Sequence, residues 1–281
     1  AQILKSIAPY NIEHYAHNST EYIQLIVEAE RRAYADRSYF LGDPDFVNIP
    51  TDSLMSEHYL SKRMADFDWE KATQSSTLSR GSIPGYESDE TTHYSIVDPF
   101  GNSLAVTTTL NAAYGSKVYV ENGGFFLNNE MDDFSAKPGE PNMYGLVGAN
   151  ANAIAPQKRM LSSMSPTIIE ANGQLKMVLG SPGGSTIITS VMQNILNVIE
   201  YDMSMQESVS KPRFHHQWLP DNIKFETTFD TVVFNSLKKL GYAIDHTNSP
   251  IIGKVDAILV LSNGNLEGGA DPRGDDTAIG F

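Results

Sequence analysis

Thr91 opens the run Thr91-Thr92-His93-Tyr94-Ser95, which begins where a polar stretch without periodicity, Gln74 to Glu90, stops. If the Glu90–Thr91 bond is cut, Thr91 gains a free α-amine beside its hydroxyl. An ordinary α-amine has a pKa of roughly 7.7 to 8.0, so near pH 7 it is partly neutral and one residue supplies both nucleophile and general base. Before cleavage the same hydroxyl can attack the Glu90 carbonyl, giving an ester that water opens. An ordinary strand threonine is the alternative that the residues alone leave open. A serine-histidine-aspartate reading is weaker, because no Gly-x-Ser-x-Gly elbow occurs.

Other residue types extend this chemistry. Thr109 falls on a second strand that pairs with that of Thr91, so its hydroxyl can reach the first; a plain β-strand threonine is again the alternative. Gly183-Gly184 precedes a helical pattern, where free N–H groups point outward and no side chain blocks a close approach. Such a pair suits an oxyanion hole, and equally a tight turn at a helix start. Glu130 and Asp133, with Asn111, offer two carboxylates and an amide for an ammonium group. A divalent metal or a solvated acidic turn are the competing readings. His215-His216 are adjacent, so their side chains diverge, and no third ligand stands at a useful spacing; we read them as structural.

The elements that must hold these residues are legible from pattern. Asn18-Ser19-Thr20 caps an amphipathic helix over 20–36, whose apolar face is expected on a sheet, and Thr51 caps a second over 52–66. The tail to Glu90 is expected to be solvated and mobile. Glu90 to Asn111 reads as a hairpin turning at Pro99-Phe100-Gly101-Asn102, and residues 123–128 as a short buried strand. Asn172-Gly173 marks a hairpin between strands over 165–170 and 176–179. A helix is expected over 186–200, then one opened by a Ser204/Glu207 capping box, a strand over 222–226, a helix over 230–240 and a strand over 256–261. Strands around Thr91 flanked by helices imply an α+β layered fold.

Composition narrows the partners. The 281 residues carry 41% hydrophobic and 19% charged residues and a formal net charge of −14, a balance that suits a folded protein and repels nucleic acid. No apolar run approaches the roughly 18 residues of a membrane helix. Cysteine is absent, which removes disulfides and thiolate chemistry. Ala1-Gln2-Ile3-Leu4-Lys5 reads like mid-helix, so the chain is expected to be part of a longer protein.

Thr91 to Ser95, Asn128 to Ser135, Leu161 to Thr167, Gly180 to Gly184 and Pro212 to Gln217 together resemble the γ-glutamyltranspeptidases, which are N-terminal-nucleophile hydrolases that cut themselves to expose a threonine. Ala29 to Arg37 and Leu41 to Phe46 resemble the end of that family's large subunit, and residues 91–281 its small subunit. The resemblance implies a four-layer αββα sandwich, incomplete on its N-terminal side, with 1–90 and 91–281 as the two processed regions. It implies cleavage between Glu90 and Thr91, Thr91 as nucleophile supported by Thr109, and Gly183 and Gly184 as oxyanion hole. Substrate contacts would come from Asn111, Glu130 and Asp133 to the α-ammonium, Ser162 and Ser163 to the α-carboxylate, and Tyr144 at the tip of a lid. A carboxylate-binding arginine would belong to an upstream segment that this chain lacks. The implied activity is a γ-glutamyltransferase and hydrolase using glutathione and water or an amine acceptor, without cofactor or metal, in the periplasm or secreted. Poly-γ-glutamate or an acylated β-lactam as substrate, and a non-catalytic fragment, are the rival readings.

Overall fold

The computed structural model describes residues 1–78, 91–143, 145–246 and 251–280. Residues 79–90 and Tyr144 lie outside the described residues, while the start of the tail expected to be solvated is instead packed: Ser75 and Leu78 are buried, and Ser75 donates its amide to Asp221 at 2.7 Å and accepts from the Trp218 indole at 3.2 Å. Helices α1 (Gln2–Ile7), α2 (Thr20–Phe40), α3 (Thr51–Leu54), α4 (Glu57–Met64), α5 (Ile187–Ile199), α6 (Met205–Ser210) and α7 (Thr231–Lys239) accompany short 3-10 turns. The strands are β1 (Thr91–Val97), β2 (Ser103–Thr109), β3 (Tyr119–Val120), β4 (Phe125–Phe126), β5 (Thr167–Ala171), β6 (Gln174–Gly180), β7 (Phe214–His215), β8 (Ile223–Phe225), β9 (Ile244–Asp245), β10 (Asp256–Val260) and β11 (Leu266–Gly269). They belong to two compact units drawn from interleaved stretches, one from Ala1–Glu87, Glu130–Ser162 and Phe214–Pro250, the other from Ser88–Asn129, Ser163–Arg213 and Ile251–Phe281.

In the first unit α2 starts where expected, with the Ser19 hydroxyl accepting from the Tyr22 amide at 3.2 Å. It runs four residues past the expected end, and it is not amphipathic in burial: Tyr22 through Asp36 are buried, charges included. Its polar face is satisfied within the unit. Arg32 reaches Glu28 at 2.5 Å and Asp66 at 2.7 Å, Arg31 pairs with Asp221, and the Tyr242 hydroxyl donates to Glu28 at 2.8 Å. Tyr22 and Tyr34 pack edge-on against Phe214 and His215 of the sheet β7-β8-β9. The expected helix over 52–66 is two helices, because Ser56 takes up an N-cap position and accepts from the Tyr59 amide at 3.3 Å. The adjacent histidines are structural, as read: His215 meets Gln217 at 2.8 Å, and the His216 ring bonds Asp221 and the Trp218 amide.

The second unit stacks two sheets and a helical layer. The hairpin β1-β2 packs on the four-stranded sheet β11-β10-β6-β5, and α5 and α6 cover that sheet's other side. Period-two alternation drives this. Met177 and Leu179 on β6, with Ala257 and Leu259 on β10, join Ile187, Val191 and Val198 of α5 and Met205 and Val209 of α6 in one buried cluster. Gly180 turns toward the hairpin instead, and a methyl group there would strike the His93 ring. The β5-β6 turn forms as its residues require, with Asn172 and Gly173 both at positive φ, 54° and 75°. Ser204 and Glu207 make both halves of the capping box. The expected buried strand over 123–128 is instead the two-residue β4, exposed at Phe125 and paired with β3. The α+β class expected from the sequence is the class observed.

Candidate active site

Thr91 and Thr109 face each other across the hairpin, first residue of β1 against last residue of β2. Their hydroxyl oxygens lie 3.3 Å apart, and Thr109 Oγ1 also accepts the Asn111 amide at 2.9 Å. Asn111 sits at positive φ, 74°, and is buried. Its side chain donates to the Asn129 carbonyl at 3.3 Å, while the Asn129 side chain accepts from the Ala112 amide at 2.9 Å. Thr91, Thr109 and Asn111 are thus held in one hydrogen-bonded group, in the second unit. Asn129 was not singled out from sequence, although its place in the Asn128-Asn129-Glu130 run was a signal.

His93 lies on the same strand face as Thr91, as a spacing of two requires. Burial pushes its imidazole pKa down to about 4, so it is neutral at pH 7. Both ring nitrogens are engaged, Nδ1 with Thr107 Oγ1 at 2.8 Å and Nε2 with Ser95 Oγ at 3.1 Å. With neither nitrogen turned to Thr91, the ring props the inner face of the hairpin and does not serve as the base.

Gly183 and Gly184 form the elbow between β6 and α5. Gly183 takes φ 132°, and a side chain there would approach Thr186 Oγ1 to 2.5 Å and Gly253 Cα to 3.0 Å. Only glycine fits. Both residues are buried, and neither amide donates to a main-chain oxygen among the described residues. The elbow is braced by Gly253, itself fixed by Arg213, which donates to the Ile252 and Gly253 carbonyls at 2.9 and 3.0 Å and to Asp271 at 2.5 Å.

In the first unit Glu130 and Asp133 share one 3-10 turn. Burial raises the Asp133 pKa to about 7, helped by the Glu130 and Asp132 charges and opposed by Arg37. Glu130 is raised by burial as well. Asp133, Arg37, Asn152 and Leu161 line a cavity of about 120 Å³, room for several water-sized groups. Ser162 closes the middle stretch of this unit and Ser163 opens the corresponding stretch of the other. Among the described residues no cluster of three His, Asp or Glu side chains has metal-binding geometry.

A family model for gamma-glutamyltranspeptidase matches residues 1–281. The chain belongs to the gamma-glutamyltranspeptidase family. It is 45% identical to the glutathione hydrolase proenzyme of Escherichia coli K12 over 281 residues, all of this chain and 48% of that protein. A crystal structure of a Helicobacter pylori gamma-glutamyltranspeptidase mutant is 53% identical and superposes at a TM-score of 0.63, covering 65% of this chain and 100% of that one. A cephalosporin acylase from Bacillus halodurans, 23% identical, has the same fold over 98% of this chain and 48% of its own, at a TM-score of 0.79. The chain spans about half the length of the relatives it matches. No described helix is long and apolar enough to cross a membrane.

Proposed function

We propose that this protein hydrolyses or transfers γ-glutamyl groups, with glutathione and related compounds as donors, after cleavage between Glu90 and Thr91 separates 1–90 from 91–281. The Thr91 amine takes the proton from Oγ1, and Oγ1 attacks the γ-amide carbonyl carbon. The Gly183 and Gly184 amides receive the oxyanion, the C–N bond breaks, and the proton passes to the leaving amine. Water or an amine acceptor then takes the γ-glutamyl group from Thr91. Thr109 steadies the nucleophile; Asn111, Glu130 and Asp133 read the donor α-ammonium, Ser162 and Ser163 its carboxylate, and Tyr144 covers it. An upstream segment supplies the arginine and the remaining helical cover, and the protein acts in the periplasm or outside the cell.

The observation that carries this reading is the Thr91–Thr109 hydroxyl pair at the mouth of the hairpin. An acid quench during turnover of a γ-glutamyl anilide tests it by intact mass. The expected result is a fragment that begins at Thr91 and carries one γ-glutamyl group; a single uncut species without an adduct overturns the proposal.

Ligand binding should also depend on pH through Asp133. Its free carboxyl titrates near 7, so at pH 6 it is mostly protonated and uncharged. An α-ammonium favours the ionised form, so binding expels a proton and rising pH favours the complex. L-glutamate affinity, by calorimetry, is expected to rise up to about tenfold per unit between pH 5.5 and 7 and then level off. Asp133→Asn flattens that slope.

A further inference from the structure

Asn152 is buried in the first unit, at the end of a 3-10 turn, Asn150–Asn152. Its side chain uses both ends. Nδ2 donates to the Asp133 carbonyl at 2.7 Å, and Oδ1 accepts the Leu161 amide at 3.0 Å. Its own carbonyl accepts from Ser135 at 2.9 Å, two residues past the acidic turn. One amide group therefore ties the turn that carries Glu130 and Asp133 to the residue immediately before Ser162.

The surroundings fix Asn152 in turn. Lys158 Nζ donates to the Ala151 and Ala153 carbonyls at 2.8 and 2.9 Å, gripping the 3-10 turn on either side of it. Arg159 is anchored to Asp43 through its main-chain amide at 2.8 Å and its guanidinium at 2.6 Å. The segment 150–161 is thus a stitched strap, and Asn152 is its link to the acidic turn. Asp133, Asn152 and Leu161 all line the same cavity.

We infer that Asn152 is the positioning residue that sets the spacing between the ammonium-reading and carboxylate-reading ends of the ligand site, and so selects an α-amino acid over a plain dicarboxylate. The inference rests on the roles proposed above for Asp133 and Ser162. An amino acid presents both charges on one carbon, so its two partners must be held at a fixed separation to be engaged together. A ligand without the amine engages only the serine end.

The test compares L-glutamate with glutarate, which lacks only the amine, in calorimetry on the whole chain and on Asn152→Asp. The carboxylate still accepts from Leu161 but faces the Asp133 carbonyl with an oxygen instead of a donor, so the side-chain link to the acidic turn becomes a repulsion. The expected result is about a tenfold loss for glutamate, one hydrogen bond's worth, with glutarate changed less than about twofold. Equal loss for both ligands, or loss for neither, overturns the inference while leaving the proposed function standing. Failure of the unsubstituted chain to bind either ligand removes the amino-acid reading and this inference with it. A second measurement needs no variant: glutamate should slow amide hydrogen exchange at both Ser135 and Leu161, and glutarate at Leu161 alone. Slowing confined to one amide in the presence of glutamate overturns the coupling.

Discussion

Thr91→Ala is expected to lower release of p-nitroaniline from γ-glutamyl-p-nitroanilide by about 10⁴-fold or more, the scale on which losing a nucleophile acts. Thr109 Oγ1 is 3.3 Å away but already accepts the Asn111 amide, and it sits mid-chain with no free amine to act as base. Thr109→Val keeps the shape of the β2 strand end and removes the Oγ1 contacts with both the Thr91 hydroxyl and the Asn111 amide, so a fall in kcat of about tenfold or more is expected, restored by Thr109→Ser. His93 gives the contrast. Its neutral ring is bound to Thr107 and Ser95, so His93→Asn should act mainly through strand packing, on stability more than on the pH profile of turnover. Turnover by Thr91→Ala within tenfold of the parent rejects the threonine mechanism outright.

The second large effect is on folding. Arg213 and Asp271 are buried, and Asp271 Oδ2 accepts from both the Arg213 guanidinium at 2.5 Å and the Val255 amide at 2.7 Å. The cationic neighbours Arg213 and Arg273 help hold the Asp271 pKa below the usual carboxylate range against the opposing effect of burial. Asp271→Ala leaves the buried Arg213 charge without its carboxylate partner, which should destabilise the fold by about 3–5 kcal/mol in urea denaturation. Replacing both partners, Arg213→Met with Asp271→Leu, should recover much of that loss, because no buried charge is then stranded. A loss under about 1 kcal/mol for Asp271→Ala would mean that water reaches the pair. Because Arg213 holds the Ile252 and Gly253 carbonyls behind the Gly183 elbow, the single variant should lose activity before it unfolds.

What was legible in the sequence was what local chemistry decides. Asn172-Gly173, the Ser204 capping box and the Ser19 cap each encode their element within a few residues. The threonine pairing followed from a short turn and a strict alternation, and the register Thr91↔Thr109 is what that turn imposes. The misses share a different cause. The apolar spacing over 20–36 reads as an amphipathic helix, yet Glu28, Arg31 and Arg32 of α2 are buried as well, because their partners Asp66, Asp221 and Tyr242 lie far along the chain. Phe125-Phe126 reads as interior from hydrophobicity alone, but among the described residues its only strand partner is a two-residue β3. Asn152 carried no signal, since its partners are a carbonyl and an amide that every residue possesses.

The β1-β2 hairpin turns His93 and Ser95 inward and leaves large apolar side chains on its outward face beside Thr92 and Thr108. Tyr94, Ile96 and Leu104 are about half exposed and Phe100 almost wholly so. For the chain in isolation that face is a colloidal problem with an electrostatic remedy. A net charge of −14 keeps molecules apart at neutral pH, and that repulsion disappears as acidification approaches the isoelectric point near 4.8. Buffers well above that point, at low to moderate salt, are therefore the conditions in which the isolated chain stays dispersed.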